Sequence, residues 1–113
     1  MHEMALCESV LGLIEEAARR ERFSRVRTVV LALGALGHVA PEAMAFCFEA
    51  VSRGTIAEGA TLKIERIPGR GWCPDCAREV PLDERFAACP ECGGGHVTMT
   101  GGDDMRLREL EVE

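Results

Sequence analysis

Four cysteines stand in two C-x2-C pairs, Cys73 with Cys76 and Cys89 with Cys92, separated by twelve residues. A C-x2-C pair can bend its backbone around one ion so that both sulfurs reach it, and two such pairs complete a four-cysteine site. Pro74 and Pro90 stiffen the two turns, and Gly93 permits the positive φ that a knuckle takes after its second cysteine. All four protein ligands would be filled, leaving no open position for a substrate, so the ion expected here is a structural Zn2+. A redox pair, free thiols or an iron centre are the alternatives for the same residues. A redox C-x2-C belongs at a helix start in a thioredoxin-like pattern, and no such pattern surrounds these cysteines.

The second group with metal chemistry is the start of the chain, Met1-His2-Glu3. A free α-amine, the following amide nitrogen and the His2 imidazole can close fused chelate rings around one ion. Deprotonated amides favour square-planar geometry, which suits Ni2+ or Cu2+. The Glu3 amide or carboxylate can add a donor. A cation here meets the positive end of the following helix dipole, which Glu3, Glu8 and deprotonated amides would offset. His38, in a Gly-rich turn, reads as an exposed loop histidine. His96 reads the same way, with a further nickel donor as the alternative, reached if the module folds back or a neighbouring protomer supplies it. Cys7 and Cys47 fall on apolar helical lines and read as core residues. Arg19, Arg20, Arg22, Arg25 and Arg27 read as a solvated, dipole-matched face, or as a docking surface for an acidic partner.

These groups need elements to position them. Residues 4–22 form an amphipathic helical pattern through Leu6, Val10, Leu13, Ile14 and Ala17. Residues 25–33 predict a strand, apolar on both faces at Val29-Val30-Leu31. Pro41 opens a second helix that carries Met44, Cys47, Phe48 and Val51 on one stripe and stops before Gly54. Residues 61–67 alternate, with Leu62 and Ile64 inward. Met105–Val112 forms a last strand whose alternation slips between Leu107 and Leu110, suggesting a bulge. Residues 68–102 are dense in Cys, Gly and Pro and show almost no apolar periodicity. The expectation is an α+β fold: two helices packed on a small three-stranded sheet, with an inserted zinc-ribbon-like module built on the four cysteines. Residues 1–67 plus 103–113 would form the nickel-binding domain and residues 68–102 the zinc module.

Bulk properties narrow the function. The chain has 113 residues and a formal charge of −6, which argues against nucleic-acid and anionic-membrane partners. No apolar run is long enough to span a bilayer, and the acidic start is unlike a signal peptide. A cytoplasmic protein is expected, in which six cysteines point to metal or redox chemistry rather than to a disulfide framework.

Taken in order, the M-H-E start, the helix ending in basic residues, the V-x-L-x-L-G strand, the P-E-x-M-x-F-x-F-E helix, the two knuckles and the R-E-L-E-V-E tail resemble the HypA/HybF family of hydrogenase nickel-insertion maturation factors. The resemblance covers essentially the whole chain. It implies a metallochaperone rather than an enzyme. It implies Ni2+ held through Met1, His2 and Glu3, and Zn2+ held through Cys73, Cys76, Cys89 and Cys92. It further implies a GTPase maturation partner, delivery to the large subunit of a nickel-iron hydrogenase, and in some members service to urease maturation. Either a monomer or a homodimer fits. A zinc-stabilised adaptor with no metal at its N-terminus is the competing class, and a hydrolase a distant third.

Overall fold

A computed structural model describes residues 2–113. Two helices, α1 (His2–Glu21) and α2 (Pro41–Ser52), accompany six strands: β1 (Val26–Gly34), β2 (Thr61–Ile67), β3 (Gly69–Cys73), β4 (Arg78–Leu82), β5 (Thr98–Gly101) and β6 (Met105–Val112). The strands make two three-stranded sheets, ordered β2-β1-β6 and β4-β3-β5. The chain divides into two compact units. The first comprises Met1–Ala32, Val39–Glu65 and Arg106–Glu113, the second Leu33–His38 and Arg66–Met105.

The first unit follows from ordinary apolar patterning. α1 buries Cys7, Val10 and Ile14, and α2 buries Met44, Cys47 and Phe48. The two helices pack on each other, with the Cys7 thiol donating to the Met44 carbonyl at 3.4 Å. α1 ends where Arg22 turns left-handed, its N–H still bonded to the Ala18 carbonyl at 2.8 Å. α2 ends with Thr55 Oγ1 donating to the Ser52 carbonyl at 2.6 Å, around the positive-φ Gly54. β1 is buried continuously from Val29 to Gly34, as its doubly apolar centre predicts. The Glu113 N–H bonds to the Arg25 carbonyl at 2.9 Å and the Gly34 N–H to the Asp104 carbonyl at 2.9 Å, so β6 runs antiparallel to β1. The last strand therefore returns to the first sheet, and its half-buried positions, Met105, Leu107 and Leu110, change phase as expected.

Two features differ from the sequence reading. α1 begins at His2 rather than at residue 4, because nothing in the first turn opposes helix and Glu3 suits its dipole. The Cys-rich segment also contains a sheet. β3 alternates burial through Gly69, Gly71 and Cys73, and β4 through Val80 and Leu82. A hydropathy pattern misses this because glycines fill inward positions. A Cβ on Gly71 would lie 2.5 Å from Val97 Cγ1 and 2.8 Å from Leu82 Cδ1, so the absent side chain makes room for its neighbours.

Candidate metal centres

The first cysteine pair occupies the turn of a hairpin. β3 and β4 pair antiparallel down to Cys73 opposite Arg78, which leaves residues 74–77 to turn the chain. Ala77 closes that turn with φ of 53°. The Cys76 N–H points back to Cys73 Sγ at 3.4 Å. The second pair makes its own loop. The Gly93 N–H bonds to the Cys89 carbonyl at 2.8 Å, and the Cys89 N–H to the Gly94 carbonyl at 2.9 Å. Gly93 takes φ of 75°, the left-handed conformation its lack of Cβ allows. The N–H groups of Glu91 and Gly94 point to Cys89 and Cys92 Sγ, each at 3.4 Å.

All four sulfurs lie within 4.8 Å of one another. Cys73 and Cys92 Sγ are 3.6 Å apart, Cys76 and Cys89 Sγ 3.9 Å. Ligand sulfurs about 2.3 Å from one Zn2+ would stand roughly 3.8 Å apart. The quartet therefore fits a single ion of that size, and backbone N–H groups are in place to stabilise thiolates. None of the six cysteines forms a disulfide. Cys73 and Cys89 are buried with Val80, and Cys76 and Val97 pack against them. As free thiols the four share their protons unequally. The hydrogen bond with Cys92 leads the causes that push Cys76 up to about 12, while the Cys92 backbone N–H pulls Cys89 down. The Gly94 N–H and, less strongly, Cys76 pull Cys92 down, but Cys73, burial and Cys89 leave it raised. A bound cation would replace those shared protons.

The surroundings are acidic and self-paired. Arg78 pairs with Glu91, and Arg70 with Glu79 at 2.9 Å. Thr100 also donates to Glu79 at 3.0 Å, and Arg70 and Thr100 together hold that carboxyl below its ordinary range. The module has few cations left for a phosphate backbone.

The N-terminal trio is only partly in view, because Met1 lies outside the described residues. His2 and Glu3 open α1, His2 exposed and Glu3 half-buried. The first four N–H groups of a helix have no intrahelical carbonyl to bond. Cys7 is fully buried, and burial, with smaller effects from Cys47 and Glu3, pushes its thiol up to about 11. Cys47 is buried as well, so both spare cysteines are core residues as their helical positions indicate. His38 is exposed in a left-handed conformation, and His96 is exposed after the second knuckle. Within the arginine cluster, Arg20 pairs with Glu16 and Glu21, and Arg27 with Glu113, all on exposed side chains. The sequence reading missed Phe86 and Arg85 between the knuckles. A lone Phe in a polar, acidic loop was the available signal.

Fold and site together define a small α+β metal-binding protein with a two-knuckle, four-cysteine module. Comparison with known proteins makes this specific. The chain belongs to the family described as hydrogenase/urease nickel incorporation, metallochaperone, hypA, which matches residues 1–112. A hydrogenase maturation factor HypA from Methylocella silvestris is 60% identical over 113 residues, covering 100% of both chains. One from Rhodopseudomonas palustris (strain TIE-1) is 58% identical over the same span, again covering 100% of both. The solution structure of the Ni metallochaperone HypA from Helicobacter pylori shares the fold, with a TM-score of 0.71 at 24% identity, covering 97% of this chain and 96% of that one. A second HypA solution structure matches with a TM-score of 0.74 at 26% identity, covering 100% and 97%. The Methylocella silvestris and Rhodopseudomonas palustris relatives are named as maturation factors and the Helicobacter pylori protein as a Ni metallochaperone. No helix among the described residues is long and apolar enough to cross a membrane.

Proposed function

We propose that this chain is a cytoplasmic nickel carrier that collects Ni2+ at its N-terminus and gives it to the large subunit of a nickel-iron hydrogenase, working with a GTPase maturation partner. Urease maturation proteins are a second destination. The cargo ion is held by the Met1 α-amine, backbone amides, the His2 imidazole and Glu3, with His96 as a further donor. The supporting observation is that α1 begins at His2. The His2 and Glu3 amides sit where a helix leaves its N–H groups unused, so giving those nitrogens to a metal breaks no helical hydrogen bond. Deprotonated amides also remove the positive dipole end that would otherwise repel a cation.

Exposure of His2 suits transfer. A few donors at a chain end can be exchanged one at a time for those of an acceptor. Affinity alone would favour Cu2+ over Ni2+, so selectivity comes from metal availability and partner recognition. The Cys73-Cys76-Cys89-Cys92 quartet holds a structural Zn2+ that folds its module and takes no part in transfer. The division of labour is nickel for residues 1–67 plus 103–113 and zinc for residues 68–102. The protein performs no catalysis of its own in this account. It works as a monomer or a homodimer.

Metal analysis of untagged protein tests the reading. One Zn2+ and one Ni2+ per chain are expected, with nickel alone lost on acetylating the N-terminus. Zinc without nickel in the unmodified protein would instead fit an adaptor. In cells, His2→Ala should leave the hydrogenase nickel-free, with partial rescue by excess nickel.

A further inference from the structure

Phe86 is 99% exposed and has φ of 64°. A left-handed backbone at a bulky residue is strained, and a solvated ring recovers nothing through burial. Phe46 and Trp72 are also exposed, at 76% and 43%, but both sit on regular helix or strand backbone. Among the described Phe and Trp residues, only Phe86 combines a positive φ with an exposed ring.

The turn that presents Phe86 is fixed from within its own unit. Arg85 Nε donates to the Leu36 carbonyl at 2.9 Å, and the guanidinium lies 3.9 Å from Asp103. The Ala87 N–H bonds to the Glu84 carbonyl at 3.3 Å. Arg85 is thus turned inward, while Asp83 and Glu84 stay exposed beside the ring. These two carboxylates, His38 and the ring border a shallow hollow of about 330 Å3.

We propose that Phe86, flanked by Asp83 and Glu84, is a docking knob for a protein partner whose surface offers an apolar pocket rimmed by Lys or Arg. An aromatic ring on a pinned turn loses little freedom on binding, and such anchors carry a large share of interface energy when they enter a pocket. The carboxylates select the rim: they attract a basic border, raise the association rate and repel acidic competitors. They also disfavour anionic lipid and nucleic acid as occupants. This surface is independent of the nickel site, so the nickel reading can fail while the knob stands, and the reverse.

The test replaces Phe86 by p-benzoylphenylalanine in the full chain, irradiates the producing cells and maps the cross-links. The expected result is one dominant protein, cross-linked within an apolar pocket bordered by Lys or Arg. Yield should fall about tenfold or more when Asp83→Lys and Glu84→Lys are added, and stay unchanged with the control Glu109→Lys. The purified partner should then bind Phe86→Ala and Phe86→Gly at least tenfold more weakly. Phe86→Gly relieves the positive φ, so its module should be as stable as wild type or more so. Cross-links spread over abundant proteins and indifferent to charge reversal would overturn the proposal. So would cross-links to lipid, to a second copy of the chain or to nothing. Unfolding of the module in Phe86→Gly would overturn it too, by making the ring structural.

Discussion

The two compact units reach order by different physics. The first buries Val10, Ile14, Val29, Leu31, Met44 and Phe48 at 2% exposure or less, a conventional apolar core. Around the quartet, the buried cluster is Cys73, Val80 and Cys89, so two of its three members are prospective metal ligands. Removing a metal should leave the first unit largely as it is and deprive the second of its main source of order. On this expectation, one short chain keeps a part held by its apolar core beside a part whose folding would be a metal-binding event.

Spectroscopy can read the units separately, because both helices belong to the first and the single tryptophan, Trp72, belongs to the second. The largest effect should come from Cys76→Ala or Cys92→Ala. Metal-binding free energy for a structural site is on the order of 10 kcal/mol, and a three-ligand remnant should forfeit most of it. Zinc content should fall to near zero, Trp72 fluorescence should shift, and residues 69–96 should become protease-sensitive while helical circular dichroism persists. Protease resistance without metal would break the comparison.

A core truncation should do the converse. Ile14→Ala removes a fully buried side chain from α1 and should cost about 2–5 kcal/mol of first-unit stability. Helical signal should melt earlier, with zinc content unchanged. If Trp72 fluorescence and helical signal still melted together, the units would not be separable in this way.

A smaller effect should appear in alkaline solution. The folded Cys7 thiol is raised from 9.0 to about 11, chiefly by burial. The folded state therefore holds its proton where the unfolded chain releases it. The stability this contributes is fully present below pH 9 and is lost as pH rises toward 11. Denaturation followed by helical circular dichroism should show that decline in wild type and a flatter profile in Cys7→Ala. Identical slopes would mean that Cys7 is not the titrating group.

Much of this was legible in the sequence, and the reasons differ by region. α2 could be read almost to the residue because Pro41 and Gly54 mark its ends and Met44, Cys47 and Phe48 repeat at the helical period. β1 was legible from its run of apolar β-branched residues. The quartet was legible because C-x2-C spacing is a constraint of metal geometry, independent of the fold around it. The second sheet was hidden, since Gly69, Gly71 and Cys73 hold its inward positions and carry little hydropathy. The start of α1 was misjudged by two residues because the apolar stripe, used to find the helix, begins one turn inside it. Phe86 was passed over because exposure and φ are properties of the folded chain.

The central claim is that the chain end carries the nickel, and His2 is the residue on which it turns. The α-amine and backbone amides exist in any sequence, whereas the imidazole is specific to this one. Calorimetry of Ni2+ binding to untagged wild type and His2→Ala, with zinc content and circular dichroism measured on both, tests this most directly. The account predicts that His2→Ala abolishes or greatly weakens nickel binding while zinc content and fold stay normal, since His2 is exposed and its removal opens no cavity. Equal nickel affinity in the two proteins would contradict the account and move the site away from the N-terminus.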